Sequence, residues 1–113
     1  MPSSTLTVLY PALKGEGDKF DLDYYLSTHM KIAREAWLGL GLINYQIINF
    51  TSGAAGAESA FSVAAVLTFD SADGAKSIGT AAETKAVLAD VPNFTNVQPS
   101  LLFGDVREQW SKQ

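Results

Sequence analysis

The sequence predicts an α+β fold in which two helices cover one face of a four-stranded antiparallel sheet. Three observations predict it. The chain has 113 residues, about the length of one domain. Four of its segments are typical of strands, and two have the spacing of amphipathic helices. These segments follow one another in the order strand, helix, strand, strand, helix, strand, and we expect residues 1–113 to form a single domain.

The first half of the chain contains one strand and one long helix. Apolar and polar residues alternate over residues 5–10, which predicts the first strand. Apolar residues then recur at helical spacing over residues 22–38. Asp21 is a typical N-cap for this helix, and Gly39 and Gly41 supply the usual stop.

The second half supplies the remaining three strands and the second helix. The strands are predicted at residues 44–51, 61–70 and 97–106. Residues 70–73 can cap a helix, and the run from Thr80 to Glu83 reads as a capping box for a helical segment that ends at Ala89. The order of all six elements is the split β-α-β arrangement of ferredoxin-like folds.

Both faces of the predicted sheet carry apolar residues. The third strand places Phe61, Val63, Ala65, Leu67 and Phe69 on one face, which we expect to lie under the helices. The other face includes Leu9, Ile48, Phe50, Val66 and Leu102. Two helices cannot cover both faces, so we expect a homodimer in which two sheets pack face to face. A lone sheet with an apolar back is the alternative.

Composition excludes several classes of function. The chain carries 8 Lys and Arg against 12 Asp and Glu, a net charge of −4, without a basic cluster. Nucleic acids and anionic membranes are therefore not expected partners. No apolar run reaches the roughly 18 residues of a membrane span. Cysteine is absent and residues 1–5 do not resemble an export signal, so we expect a cytoplasmic protein.

His29 is the only histidine and the first candidate for acid–base chemistry. At about 100° per residue, it lies near the middle of the apolar stripe of the first helix, with Tyr25 beside it. Tyr24 falls on the opposite side. Burial would favour the neutral imidazole, which can act as an acid or base. A core histidine with a structural hydrogen bond is the alternative.

Other chemistry finds less support in the sequence. Capping explains the carboxylates at helix ends, which are Asp21, Asp23, Asp70 and Asp90. With one histidine and no cysteine, we expect neither a metal nor a cofactor. The polar loop at residues 15–19 is a candidate lid.

Two runs of residues resemble the signature of the EthD family. They are Phe20-Asp21-Leu22-Asp23-Tyr24-Tyr25-Leu26-Ser27-Thr28-His29-Met30 and Asp90-Val91-Pro92-Asn93-Phe94-Thr95, the second followed by Pro99 and Gly104. The resemblance implies a dimeric α+β barrel. It also implies that Tyr24, Tyr25 and His29 are site residues.

Together these observations predict a cofactor-independent enzyme that acts on an aromatic or polyketide-like intermediate. His29 would transfer a proton, and Tyr25 would orient it or stabilise an enolate. The reaction would be decarboxylation, dehydration, cyclisation or isomerisation. We expect the apolar walls of the site to be Ile32, Trp37, Phe61, Leu67 and Phe69. The alternatives are an EthD-type monooxygenase or other oxidoreductase, with haem bound by His29 as one form, and a non-catalytic module that binds a hydrophobic ligand beside an oxidoreductase.

Overall fold

The computed structural model describes residues 3–112 and contains a four-stranded antiparallel sheet in the order β2-β3-β1-β4. The strands are β1 (Ser4–Pro11), β2 (Leu42–Asn49), β3 (Phe61–Phe69) and β4 (Ser100–Asp105). The α+β class and the predicted order of elements are confirmed. β4 begins three residues later than expected, immediately after Pro99, which has no N–H to donate to a neighbouring strand.

The two helical segments have mixed geometry, and neither is one continuous α-helix. The first is α1 (Leu22–Tyr24), a π-helical turn (Tyr25–His29), α2 (Met30–Trp37) and a 3-10 turn (Leu38–Leu40). The second is α3 (Gly74–Ser77), a 3-10 turn (Ile78–Thr80), α4 (Thr84–Asp90) and a 3-10 turn (Val91–Asn93). Among the residues described, no helix is long and apolar enough to cross a membrane.

The predicted ends of the first helical segment are confirmed. The Asp21 carboxylate accepts a hydrogen bond from the Tyr24 N–H at 3.1 Å, which is the expected N-cap. At the other end Gly41 adopts a φ of 102°, a left-handed conformation that glycine adopts at little cost.

The predicted capping box at Thr80 is wrong. Thr80 closes a 3-10 turn, Ala81 is extended, and α4 begins at Thr84 without a side-chain cap from Glu83. The side chain of Thr84 is buried instead, where it accepts a hydrogen bond from the Trp37 indole and donates one to the Ile78 carbonyl. Tertiary contacts therefore set the start of this helix.

The helices pack on one face of the sheet and bury the expected side of β3. Val63, Ala65, Leu67 and Phe69 are buried there, whereas Phe61 is partly exposed at the end of the strand. The helices leave the β4 edge of the same face uncovered. Leu101 and Phe103, paired with Val8 and Leu6, are 54% and 44% exposed.

The opposite face of the sheet carries no charged side chain among its strand positions. Those positions are Thr5, Thr7 and Leu9 on β1, Asn44, Gln46 and Ile48 on β2, Ser62, Ala64, Val66 and Thr68 on β3, and Ser100, Leu102 and Gly104 on β4. At one end of this face, Asn44, Gln46 and Thr68 line a pocket together with the C-terminal residues Val106, Glu108 and Gln109. Isolated charges are usual on a solvated sheet face, and their depletion is typical of the centre of an interface.

Candidate functional site

The π-helical turn brings Tyr24 and His29 to the same side of the first helical segment. In an α-helix, two residues five apart are separated by about 140° around the axis. Here the Met30 N–H bonds to the Tyr25 carbonyl, five residues back, so this turn is wider than an α-helical one. The Tyr24 hydroxyl and the His29 ring consequently reach the same partner, Asp90.

Asp90 is the centre of this hydrogen-bonding group. Its Oδ1 accepts from the Tyr24 hydroxyl at 2.6 Å and from the Asn93 amide at 2.9 Å. Its Oδ2 accepts from His29 Nδ1 at 2.9 Å. Burial by itself would raise the pKa of Asp90, but the hydrogen bonds from Tyr24, Asn93 and His29 outweigh it and lower the pKa below its ordinary value. Asp90 is therefore an ionised acceptor.

His29 is held in the interior as a neutral base. Its side chain is stacked on Tyr25 with ring centroids 5.4 Å apart and lies against Phe94 at 4.5 Å. Only 5% of the residue is exposed. Burial lowers the pKa of His29, and the carboxylate of Asp90 opposes that shift only in part. With Nδ1–H donated to an ionised Asp90, the unprotonated nitrogen is Nε2.

The second ring nitrogen of His29 touches open space. Nε2 has no hydrogen-bond partner within residues 3–112. Over the same range, every fully buried side-chain nitrogen or oxygen does have a partner. Nε2 is therefore not sealed, and its lone pair is free to accept a proton.

An apolar cleft of about 260 Å³ lies between α4 and the uncovered edge of the sheet. No charged side chain belongs to its lining, which comprises Leu6, Val8, Tyr10, Trp37, Ile78, Gly79, Thr84, Val87, Leu88, Val91, Pro99, Leu101 and Phe103. Such a cleft suits an uncharged, largely apolar ligand.

His29 lies behind the wall of this cleft and not in its lining. Its ring contacts Tyr25 and Phe94, and both of these pack edge-on against Tyr10, which lines the cleft. Val91, another lining residue, directly follows Asp90. One layer of side chains therefore separates the imidazole from the cleft.

The structure brings together only some of the residues that the sequence nominates. Trp37 lines the cleft. Leu67 and Phe69 are packed in the core with 1% and 0% exposure, so a ligand cannot contact them unless the core rearranges. Phe61 lies at the far end of β3, and Ile32 is a half-buried residue on α2 outside the cleft lining.

Tyr25 is the most enclosed of the three residues nominated for catalysis, with 1% of the residue exposed. Burial raises its pKa well above the ordinary value, so the hydroxyl stays protonated and can act only as a neutral hydrogen-bonding group. Its hydrogen-bonding neighbour is the Tyr10 hydroxyl, and this interaction adds to the rise in the pKa of Tyr25 and partly opposes the rise that burial causes in the pKa of Tyr10.

The loop proposed as a lid is tied down at both ends. The Asp18 carboxylate accepts hydrogen bonds from the backbone N–H groups of Lys14 and Gly15. Asn96 accepts from the Lys19 N–H and donates to the Gly17 carbonyl. Opening such a loop requires the loss of these exposed hydrogen bonds.

Potential metal ligands do not cluster in the part of the chain that the structure describes. No group of three His, Asp or Glu side chains there is placed to hold an ion. The chemistry that this arrangement can perform with its own residues is hydrogen bonding and proton transfer by the His29–Asp90 pair.

The chain is similar over its whole length to a solved EthD-like protein from Ralstonia eutropha JMP134. The identity is 26%, the alignment covers 98% of this chain and 97% of that one, and the TM-score is 0.77. This chain is an EthD-like protein. This assignment depends on the structural match, because no protein-family model and no curated protein sequence matches the chain.

Two further solved structures share the fold of this EthD-like chain. An ethyl tert-butyl ether D (EthD) family protein from Bacillus halodurans C-125 is 20% identical, with coverage of 90% and 96% and a TM-score of 0.69. A dimeric ferredoxin-like protein of unknown function from Jannaschia sp. CCS1 is 14% identical, with coverage of 96% and 100% and a TM-score of 0.59.

No local sequence pattern identifies Asp90 as the partner of His29. Capping explains Asp90 as a residue at a helix end, and it predicts no role for Asn93 or Phe94. All three lie in the second run of residues that resembles the EthD signature. That run was the available signal, since the chain separation of 61 residues between His29 and Asp90 leaves no local pattern to detect.

Proposed function

We propose that this EthD-like protein is a cofactor-independent acid–base enzyme that acts on an aromatic or polyketide-like ligand bound in the apolar cleft. A single observation carries the proposal. It is the His29–Asp90 pair, in which Nδ1 is held by a carboxylate and Nε2 has no partner within residues 3–112. A structural histidine in a core ordinarily has both of its ring nitrogens satisfied.

The proposed reaction begins with removal of a proton from a carbon acid. Nε2 of His29 takes the proton, and the electron pair of the broken C–H bond moves onto the carbonyl oxygen of the ligand to form an enolate. Asp90 stabilises the imidazolium that results. Tyr25, as a neutral donor, can hydrogen-bond to the enolate oxygen. Dehydration, cyclisation and isomerisation of β-keto or phenolic compounds proceed from such an enolate. Decarboxylation reaches the same enolate by loss of CO₂, and a protonated His29 would then donate a proton to the carbon.

For this reaction the ligand must reach behind the present cleft wall. A general base acts only within hydrogen-bond distance of the proton that it removes, and His29 is one side-chain layer away. The proposal therefore includes movement of Tyr10 or Val91 when a ligand binds.

The experiment measures proton exchange at carbon, which does not require the natural substrate. The probe is 2-tetralone in deuterated buffer, and NMR follows loss of its α-protons. We expect the protein to exchange these protons faster than buffer alone. His29→Gln should reduce the enzymatic rate by on the order of 10²-fold or more, because it removes the base. Lys31→Gln, a change on the exposed side of α2, is the matched control and should exchange normally.

A non-catalytic module that binds a hydrophobic ligand is the second candidate function. The absence of His29 from the cleft lining favours it. If the protein binds 2-tetralone but never exceeds the buffer exchange rate, and His29→Gln leaves that affinity unchanged, the enzymatic proposal fails and the binding module replaces it.

We also propose that the chain forms one domain and assembles as a homodimer through the uncharged sheet face. The absence of charge at its strand positions supports this assembly, as does the dimeric state of the Jannaschia protein with the same fold. A two-fold axis would pair each copy of the face with itself.

A further inference from the structure

We infer that Tyr24 and Asn93 are positioning residues for the proton transfer at His29. Together they hold Asp90 so that its Oδ2 faces Nδ1 of His29, which leaves Nε2 as the nitrogen that accepts a proton. Neither residue has to contact the ligand, because both act through Asp90. The inference rests on the proposed function, although the tautomer of His29 tests it without any turnover.

The two carboxylate oxygens of Asp90 have different partners. Oδ1 accepts hydrogen bonds from the Tyr24 hydroxyl at 2.6 Å and from the Asn93 amide at 2.9 Å. Oδ2 accepts from His29 Nδ1 at 2.9 Å. A carboxylate has about four lone-pair positions, two on each oxygen, so the two donors fill those of Oδ1. Rotation of the carboxylate would break both of these hydrogen bonds, and Oδ2 is therefore kept at His29.

Tyr24 and Asn93 lie between the buried pair and the surface of the protein. Asn93 is exposed and Tyr24 is half-buried, whereas Asp90 and His29 are 6% and 5% exposed. A carboxylate with so little contact with water depends on protein donors, because an unpaired charge in the interior is costly. The two residues supply these donors on the outer side, while His29 supplies one on the inner side.

The backbone places both donors before any ligand binds. Asn93 closes the 3-10 turn (Val91–Asn93) that follows α4. Directly after this turn, the Phe94 carbonyl accepts a hydrogen bond from the backbone N–H of Asp21 at 2.8 Å. Asp21 in turn caps the helical segment that carries Tyr24. The two donors are thus tied to one another through the backbone, and little reorganisation is needed when the proton moves.

The charge states of the group agree with this role. The hydrogen bond to Asp90 raises the pKa of Tyr24, and Asn93 opposes this rise only in part, so Tyr24 stays a neutral donor. Asp90 remains the anion of the group, as its lowered pKa indicates. Loss of either donor would let the carboxylate rotate, and Oδ2 would no longer be fixed at Nδ1 of His29.

The test is ¹⁵N NMR of the imidazole near pH 8, where His29 is neutral because burial lowers its pKa. His29 is the only histidine, so its two ring nitrogens give unambiguous signals. We expect a protonated Nδ1 and an unprotonated Nε2 in the unsubstituted protein. Tyr24→Phe and Asn93→Ala should each move part of the population to the tautomer with the proton on Nε2, because the hydrogen bond at Nδ1 selects the tautomer. Each should also slow 2-tetralone exchange by about 3- to 10-fold, the effect of one hydrogen bond.

The matched controls are Tyr45→Phe and Asn96→Ala, which remove the same groups away from Asp90. The Tyr45 hydroxyl accepts a hydrogen bond from Arg34. The Asn96 side chain bonds to the backbone of Lys19 and Gly17. Both variants should keep the tautomer and the exchange rate of the unsubstituted protein. An equal change of tautomer in these controls would overturn the inference, since it would show a general response to substitution.

The outcomes separate this inference from the proposed function. An unchanged tautomer in Tyr24→Phe and Asn93→Ala overturns the positioning role, whatever the exchange rate, and so does a changed tautomer with an unchanged rate. Asn93 is exposed, so its variant decides the matter if Tyr24→Phe does not fold. If even the unsubstituted protein does not exchange 2-tetralone, the proposed function fails, and the tautomer alone decides whether the two residues position His29.

Discussion

Asp90 shows how one buried carboxylate can determine the chemistry of a neighbouring group. It receives three hydrogen bonds, from Tyr24, His29 and Asn93, and these favour its ionised form. An ionised Asp90 in turn selects the His29 tautomer with the proton on Nδ1. The geometry of the pair is that of a base and its orienting group, as in hydrolase triads.

We predict that the free energy of unfolding falls when the pH drops below about 6.5, because of the protonation of His29. The pKa of His29 is lower in the folded protein than its ordinary value of 6.5, so the unfolded chain takes up this proton first. The free energy of unfolding then decreases as the pH falls from about 6.5 through the pKa of His29 in the folded protein. The decrease is no more than about 1.4 kcal/mol per pH unit. Asp90 adds a second loss below its ordinary pKa of 3.8.

The measurement is urea unfolding at pH 7.5, 6.0 and 5.0. His29→Gln serves as the control because glutamine can still donate a hydrogen bond to Asp90 but does not titrate. Its stability should stay nearly constant over this range. Greater stability of the unsubstituted protein at pH 5.0 than at pH 7.5 would contradict the lowered pKa of His29.

At the scale of elements, the π-helical turn decides which side chains meet. A regular α-helix would place Tyr24 and His29 on different sides, as the 100° periodicity predicts. The turn at Tyr25–His29 brings both to Asp90 without disturbing the apolar stripe of α2. π-Helical turns are rare and often lie at functional sites, which is consistent with a role for this one.

Gly41, at the end of the first helical segment, has a backbone conformation that favours glycine. Gly41 has a φ of 102°, and a Cβ built on it would lie 2.5 Å from Oδ1 of Asp70. Gly41→Ala should therefore lower the free energy of unfolding by about 1–3 kcal/mol. Gly39→Ala is the control, since a Cβ there meets no atom within 4 Å. Thermal or urea unfolding of the two variants checks this, and equal stability would contradict it.

At the scale of the whole molecule, the fold has two layers and one bare face. The helices cover one side of the sheet, and the molecule measures only 22 Å in its shortest dimension. The bare face is free of charge at every strand position, although the chain as a whole carries a net charge of −4. That separation of charge is expected if a second copy packs on the face.

We predict that a single charge on this face dissociates the proposed dimer. Thr7 lies on β1, an inner strand of the sheet, and its side chain is on the uncharged face. Thr7→Lys would bury a cation from each copy in a two-fold interface, which is costly without a partner. Sedimentation should show a monomer for this variant and a dimer for Ala72→Lys, an exposed position outside the sheet. A Thr7→Lys dimer of unchanged affinity would place the interface elsewhere.

Local sequence patterns are sufficient to predict the elements, their order and the α+β class, together with the burial of the His29 imidazole. These features follow from hydrophobic periodicity and capping, which act between residues close in the chain. The buried positions of β3 and the Asp21 cap illustrate this, since each depends on neighbours within a few residues.

Contacts between distant segments determine what His29 bonds to and where the cleft lies. Asp90 is 61 residues from His29 and 66 from Tyr24, and a departure from α-helical geometry was needed to bring them together. The cleft exists because the helices stop short of β4, a matter of packing between distant segments. Local patterns do not encode such contacts, since they depend on how completed elements pack against one another.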